Sequence, residues 1–281
     1  LDLFDYQTLL GCGAAAGIAG LFHAPLGGIM FVTEILFNKV EKNRLIMVAI
    51  SAISADMIIR WSGRELFLAD LNLGQVGNAN NFIVAILIAL VGALFGVLFI
   101  YTLRFLSKKF DDLKINIILK PALGGLLMGI IAFRVPEIMG SGNRIIVSLF
   151  NQAEHNLAFL FLLVILKILA TSITLGSGGS GGIFSPSLFI GSLSGIIIGV
   201  LFHNIFPFLA GPTSLYALIG MAAVISTVIR APLTATFIIL EFTHNYTLTI
   251  PLLIASLIAE RTASMSGLKS AYSPEYFERL G

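Results

Sequence analysis

Long apolar runs separated by short polar loops fill the chain. They predict ten helices, over residues 7–20, 26–37, 45–61, 82–106, 116–133, 157–175, 184–203, 215–229, 232–243 and 248–263. A helix needs about 20 residues to cross a bilayer core about 30 Å thick. Residues 26–37 and 232–243 are too short for that, and an Ala-Pro-Leu sequence stands at the start of each, at residues 24–26 and 231–233. Several segments that stop inside a bilayer are more typical of channels and secondary transporters than of receptors.

Composition predicts a multi-pass membrane protein. Of the 281 residues, 57% are hydrophobic and 11% are charged, and the mean hydropathy is +0.96. A soluble domain carries about 25% charged residues. The formal charge of +2 gives no indication of a nucleic-acid partner, because the basic residues lie in loops. Cys12 is the only cysteine, which excludes an intramolecular disulfide.

A glycine-rich segment, residues 176–186, interrupts two long apolar runs. Five of its eleven residues are glycine, and glycine is unfavourable inside a helix. One helix is therefore expected to end here inside the membrane and another to begin near Ile183–Pro186, where irregular backbone must line a wet cavity or be buried in protein. The start of a helix offers free N–H groups and a positive dipole end. We expect an anion site without a full positive charge, from which a weakly held anion can leave again.

An internal repeat relates the two short segments. Placing Ala24-Pro25-Leu26 on Ala231-Pro232-Leu233 aligns the chain with itself at an offset of 207 positions. Eight of 22 ungapped positions then match, including Glu34 with Glu241. The match of these two glutamates predicts a shared structural role at the ends of short helices.

The charges of the loops predict opposite orientations for the two units. The first unit continues into residues 38–44, with three Lys or Arg, and the second into residues 244–247, with none. Cytoplasmic loops carry the excess of Lys and Arg, so equivalent ends are expected on opposite sides, as in an inverted-topology repeat. Residues 104–120 and the C-terminus are then cytoplasmic, and residues 203–214 are external.

The repeat also predicts the organisation of the chain. Residues 1–63 are expected to form the end of a first inverted repeat, residues 82–263 a second repeat, and residues 264–281 a final pore helix region with a cytoplasmic tail. The partner of the second unit would begin roughly 125 residues before Leu1 on the logic of such repeats. We therefore expect the chain to be the later part of a longer membrane domain.

Several motifs resemble those of the CLC family of chloride channels and chloride/proton exchangers. Residues 176–188, which contain Gly-Gly-Ile-Phe-Ser-Pro, are similar to the second anion-binding motif of that family, of the form GxFxP. The other matching segments, which follow in the same order as in the family, are residues 13–17, 23–26, 229–233 and 240–246, and Tyr272.

The resemblance implies a role for particular residues. The backbone N–H groups of Ile183 and Phe184 would hold a central chloride, the Tyr272 hydroxyl would donate to the same ion, and Phe184 would narrow the pathway. Three glycines of the motif would line that pathway: Gly178, Gly181 and Gly182. The remaining parts of the family's filter, a serine loop and a gating glutamate, would lie upstream of this chain.

One departure from the family's pattern concerns proton coupling. Proton-coupled members often carry a glutamate directly after the position of Glu34, and this chain has Ile35 there. An alkyl side chain cannot carry a proton, so this departure favours a passive channel over the alternative, a chloride/proton exchanger. Glu34 is not an expected substitute, because consecutive helical residues point about 100° apart and Glu34 should face a different surface.

Two other charged features have structural interpretations. Lys167 lies within an apolar run, where burial would cost roughly 2.5–3.5 kcal/mol. We expect it to snorkel or to bind carbonyls at a helix end, and the alternative is that it adds positive potential to the pathway. Asp56 and Arg60 lie four residues apart on one helix face, a spacing that favours an ion pair.

Two other functional classes are weighed against anion transport. Residues 178–182 fit the Gly-x-Ser-x-Gly nucleophile pattern and resemble rhomboid-type intramembrane serine proteases. The candidate bases, His203 and His244, fall in expected external loops far from Ser180. A cation-coupled carrier would need carboxylates at the helix break, and residues 170–200 contain no Asp or Glu.

The expected protein is an all-α membrane protein with CLC-like inverted repeats and tilted, broken helices. It is expected to move chloride or a similar small monovalent anion, with no catalytic residue, metal site or cofactor. The resemblance also implies a homodimer in membrane lipid with one pore in each subunit. The helices that the resemblance places at the interface lie near residues 27–37, 46–61, 232–243 and 248–263.

Overall fold

The computed structural model of the chain describes residues 3–37, 41–63, 79–150, 156–207 and 211–273. Eleven α-helices follow one another within these ranges, and none of the described residues forms a strand. The helices are α1 (Leu3–Phe22), α2 (Pro25–Phe31), α3 (Lys42–Trp61), α4 (Ala79–Asp111), α5 (Leu119–Arg134), α6 (Asn143–Phe150), α7 (Leu157–Gly176), α8 (Phe184–Ile205), α9 (Thr213–Ile229), α10 (Pro232–Thr243) and α11 (Thr249–Met265). Residues 274–281, which include most of the expected tail, lie outside the described residues.

Each of the ten expected helices corresponds to an observed one, with differences at the ends. The segment expected over residues 26–37 is an α-helix only as far as Phe31, and Val32–Leu36 form a wider π-helical turn. The sequence analysis missed α6, because its eight residues include Asn143, Arg144 and Ser148 and so do not form an apolar run.

Within the described ranges, four helical segments are long and apolar enough to cross a membrane. They are Phe82–Asp111, Leu157–Gly176, Phe184–Ile205 and Tyr246–Met265. The last of these joins a 3₁₀ turn at Tyr246–Leu248 to α11. Shorter apolar helices, among them α9 and α10, lie between these spans, and such segments can remain in a membrane only where neighbouring protein covers their ends.

Helix α9 forms the centre of the bundle. Every residue of α9 from Ser214 to Ile229 is buried. It approaches α8 so closely that a Cβ on Gly191 would lie 2.5 Å from the carbonyl oxygen of Gly220, and a Cβ on Gly195 would meet the carbonyl oxygen of Tyr216. Small residues allow this approach of two backbones, which is how helices pack in lipid. The packing fixes α8, whose first turn carries the candidate site.

The short helices α2 and α10 pack side by side and antiparallel. Glu241, near the end of α10, accepts hydrogen bonds from the backbone N–H groups of Leu26 (3.1 Å) and Gly27 (2.8 Å) in the first turn of α2. A Cβ on Gly27 would overlap the side chain of Ile238, so only glycine permits this contact. The carboxylate of Glu241 therefore satisfies amides that a helix start leaves without partners.

The converse contact is made by Glu34, in the π-helical turn that follows α2. Its carboxylate accepts hydrogen bonds from the backbone N–H groups of Leu233 (3.0 Å) and Thr234 (2.7 Å), and from the Thr234 hydroxyl (2.6 Å). Each glutamate thus caps the start of the helix that belongs to the other repeat unit. The shared structural role expected for the two glutamates is present.

Candidate anion-binding site

The helix break expected in residues 176–186 is present. Helix α7 ends at Gly176, and α8 begins at Phe184. The chain leaves α7 through Gly178, whose φ of +85° is unfavourable for other residues. The next glycine also has a steric role, because a Cβ on Gly179 would lie 2.8 Å from the carbonyl oxygen of Thr174.

The first turn of α8 presents backbone amides without acceptors inside the helix. The hydrogen bond from Ser187 N to Ile183 O (3.1 Å) is the first that α8 makes, so the amides of Phe184 and Ser185 precede the ladder. Pro186 has no N–H group. Ile183 is buried and Phe184 is half-buried, and the N–H groups of a helix start favour an anion.

Aromatic contacts connect the candidate residues to the first repeat unit. The ring of Phe184 lies 4.9 Å from the ring of Phe22, at the end of α1. The ring of Tyr272 lies 5.7 Å from that of Phe31 in an edge-on arrangement. Residues of both units therefore position the side chains that the sequence analysis assigned to the pathway.

A cavity of about 380 Å³ lies beside the glycine-rich segment. Gly181, Gly182 and Ser185 line it, together with Ser180 and Lys167. A Cβ on Gly182 would meet no atom within 4 Å, so this residue leaves the cavity open. The cavity gives water and small ions access to the start of α8.

Lys167 lines this cavity but is only 2% exposed, and hydrogen bonds fix its position. Its Nζ donates to the carbonyl oxygens of Ile138 (2.8 Å) and Gly140 (2.6 Å), and it lies 5.1 Å from the centre of the Phe189 ring. The ammonium group thus satisfies carbonyls at the end of the 3₁₀ turn Pro136–Ile138, as expected from the sequence. It also places a positive charge in the wall of the cavity.

Tyr272 lines a different cavity, of about 470 Å³. Glu34 and Ile35 both lie in its wall, as does Arg230. The expectation that Glu34 and Ile35 face different surfaces is therefore wrong: the cavity meets the π-helical turn near its end, where neighbouring residues border the same opening. Burial raises the pKa of the Tyr272 hydroxyl, so this group stays a hydrogen-bond donor at neutral pH.

The structure brings the candidate residues together only in part. Ile183 and Phe184 form the start of α8 as expected, and Gly181 and Gly182 line the cavity on one side of it, whereas Tyr272 borders the other cavity. The sequence analysis missed the contacts of Phe22 and Phe31. Both residues lie near the Ala-Pro-Leu of the first unit but outside the motif segments, and no local pattern relates them to Phe184 or Tyr272.

The protease hypothesis gains no support from the geometry. Ser180 borders the Lys167 cavity. His203 belongs to the last turn of α8, and at 1.5 Å per residue it lies about 28 Å along the axis from Phe184. His244 follows the far end of α10. Neither candidate base is among the residues that line the cavity with Ser180.

Apolar helices, several of them short and one beginning beside a cavity, define an integral membrane protein. A family model described as "Voltage gated chloride channel" matches residues 3–264. The chain belongs to this family, the CLC family that its motifs resemble. The all-α fold with broken helices expected from the sequence is confirmed.

Similar proteins support the same family. A "Putative chloride channel protein ClcB-like" of Ralstonia nicotianae is 32% identical over 268 residues, which cover 95% of this chain and 62% of that protein. The "H(+)/Cl(-) exchange transporter ClcA" of Vibrio vulnificus is 33% identical over 274 residues, covering 95% and 58%. The crystal structure of a slow cyanobacterial Cl⁻/H⁺ antiporter superposes with a TM-score of 0.85 at 27% identity, covering 97% and 65%. The chain thus spans about three fifths of the length of its curated relatives.

Proposed function

We propose that this chain contributes the central anion site and part of the pathway of a protein that moves chloride or a similar small monovalent anion across a membrane. The observation that carries the proposal is the start of α8, where amides without intrahelical acceptors lie between the helix break and the buried bundle. Ile183 and Phe184 supply N–H donors, and Tyr272 supplies a hydroxyl. None of these three donors carries a full positive charge, so chloride affinity is expected to be micromolar to millimolar.

The transport mode that we propose is chloride/proton exchange. The Vibrio relative is named as an exchanger and the cyanobacterial neighbour as an antiporter, which favours this alternative over the passive channel that Ile35 indicated. The cavity that Tyr272 and Ile35 border also has the carboxylate of Glu34 in its wall. That carboxylate accepts hydrogen bonds from the start of α10.

Flux measurements in liposomes that contain the full-length protein test this function. A chloride gradient is expected to drive protons uphill, recorded with a pH electrode while a chloride electrode records the anion. Chloride flux with no uphill proton movement would contradict exchange and support a passive channel. Absence of any chloride flux would contradict anion transport itself.

The location of the ion is tested by diffraction. Bromide scatters anomalously and can replace chloride in a site made of N–H groups. Crystals of the full-length protein soaked in bromide are expected to show a peak near the amides of Ile183 and Phe184. A peak beside Lys167 alone would place the ion away from these amides, at the lysine in the wall of the cavity beside the glycine-rich segment.

We also propose a homodimer embedded in lipid, as the resemblance implies. Helix α3 presents many exposed apolar side chains, and α11 adds others. On α3 they are Ile46, Met47, Ile50, Ile53, Met57, Ile58 and Trp61. Cross-linking of the full-length protein in membranes tests this assembly, with a monomer as the contradicting result.

A further inference from the structure

The segment that carries Tyr272, residues Leu268–Ser273, follows the end of α11 and forms no helix. Few backbone hydrogen bonds join it to the other described residues. Ala271 N donates to the carbonyl oxygen of Val228 (2.9 Å), near the end of α9, and Ser273 N donates to Ser270 O (3.2 Å). Such a segment would leave the Tyr272 ring poorly fixed unless side chains restrain it.

Arg104, on α4, restrains the segment from one side. Its Nη2 donates to the carbonyl oxygen of Lys269 (2.7 Å) and contacts that of Ser270 (3.2 Å) and the hydroxyl of Ser273 (3.4 Å). These three partners lie on both sides of Tyr272 in the chain. One guanidinium therefore spans the turn in which the tyrosine sits.

Arg230 restrains the beginning of the segment and joins it to α11. Its Nη2 donates to the carbonyl oxygens of Leu268 (2.9 Å) and Ala263 (2.6 Å), and its Nη1 donates to that of Glu260 (2.8 Å). Arg230 has a left-handed backbone conformation at the junction of α9 and α10. The planar fork of arginine suits several carbonyls at once, which the point charge of lysine does not.

We propose that Arg104 and Arg230 are positioning residues for Tyr272. By binding main-chain carbonyls before Tyr272 and the Ser273 hydroxyl after it, they hold the phenol at the wall of its cavity, where its hydroxyl can reach an anion. They act through Tyr272 rather than on the ion. This inference rests on the proposed chloride role of Tyr272.

Hydrogen exchange measures the positioning without any assay of transport. In the full-length protein in detergent, Arg104→Gln is expected to accelerate amide exchange in residues 268–273 by about tenfold, because the charged hydrogen bonds that restrain the turn are lost. Lys108→Gln is the matched control: it removes the same charge from the same helix, and Lys108 is exposed. Unchanged exchange in Arg104→Gln would overturn the proposal.

A double-mutant cycle then separates positioning from a direct effect of charge. Calorimetric chloride titration is expected to show weaker binding in Arg104→Gln, by a factor similar to that of Tyr272→Phe. When combined with Tyr272→Phe, Arg104→Gln is expected to have no further effect, since the group that it positions is gone. A positive charge that acted on the ion through space would still matter in the Tyr272→Phe background, and additive effects would overturn the proposal.

A milder variant covers the case in which Arg104→Gln does not fold. Arg104→Lys keeps the charge and loses the planar fork, and the same cycle applies to it. Failure of the proposed function is recognised separately, as absence of chloride flux from the unmodified protein. Normal flux together with unchanged chloride affinity in both Arg104 variants would overturn only the positioning role.

Discussion

Two helix junctions in this chain share one backbone and differ in their side chains. His23 directly follows α1 at its junction with α2, and Arg230 lies at the equivalent place between α9 and α10, 207 positions later. Both are left-handed, with φ of +52° and +61°. The alanines that follow, Ala24 and Ala231, also agree closely (φ −125° and ψ 72°, against −136° and 83°). The backbone of a reversal between two helices is thus kept while its chemistry changes.

The side chains of the junctions serve different partners. The Nδ1 atom of His23 lies 3.0 Å from a carboxylate oxygen of Asp56, which pairs with Arg60 at 2.7 Å. The pair expected between Asp56 and Arg60 is therefore confirmed, with His23 as an added partner. Arg230 instead binds the main chain near Tyr272. Of the two left-handed residues, Arg230 therefore binds the segment that carries Tyr272, whereas His23 binds Asp56.

The capping glutamates differ in their surroundings. Glu241 is only 7% exposed, and α10 continues as a regular helix around it. Glu34 is half-buried, belongs to a π-helical turn and borders a cavity. The same contact is therefore made once in dry protein and once beside a space that water can enter.

The largest effect is expected from Glu241→Ala. The change leaves the buried amide of Gly27 and the part-buried amide of Leu26 without an acceptor, which is expected to cost about 3 kcal/mol. The midpoint of thermal unfolding in detergent should fall by several degrees. Glu241→Gln retains one acceptor oxygen and should fall by less.

Glu34→Ala is expected to cost less, about 1 kcal/mol, because water in the cavity can replace the lost acceptor. The same thermal measurement compares it with Glu241→Ala. Equal losses from the two variants would show that the cavity does not distinguish the two caps. Ile35→Ala provides a control for the shape of the cavity wall.

Arg230→His gives the second junction the residue of the first. Histidine tolerates the left-handed conformation better than most residues, so the helix reversal should persist while the carbonyls of Leu268 and Ala263 lose their donor. We expect chloride affinity to fall about threefold, measured by calorimetry. The opposite exchange, His23→Arg, is expected to leave chloride affinity unchanged. An equal loss of chloride affinity in His23→Arg would contradict the functional difference between the two junctions.

The smallest change in structure is made by Tyr272→Phe, which removes one hydroxyl. A hydrogen bond to an ion is worth roughly 1.5–3 kcal/mol before water compensates, so a modest fall in chloride affinity is expected. Calorimetric titration of the full-length protein measures it. Unchanged affinity would remove Tyr272 from the anion site.

The pattern of apolar runs was sufficient to predict ten of the eleven described α-helices and the break before α8, because long hydrophobic segments and clustered glycines act locally. The repeat also predicted that Glu34 and Glu241 have one role. It could not predict that each would cap the other unit's helix, since that depends on how α2 and α10 pack. The contacts of Arg104 with residues 269–273 join positions 165 to 169 apart, and no local pattern reports such a pairing.

The complete enclosure of α9 has a consequence for how the protein is made. A helix whose residues from Ser214 to Ile229 are all buried has no surface for lipid. Its hydroxyls find partners on a later helix, as when Ser226 Oγ donates to the carbonyl oxygen of Ser256 (2.7 Å). During synthesis, α9 therefore cannot be fully enclosed by protein until α11 has been made. Variants that weaken the contacts of α9 are expected to lower the amount of assembled protein in cells more than the transport rate of each assembled molecule. Quality-control proteases would degrade the molecules that fail to assemble.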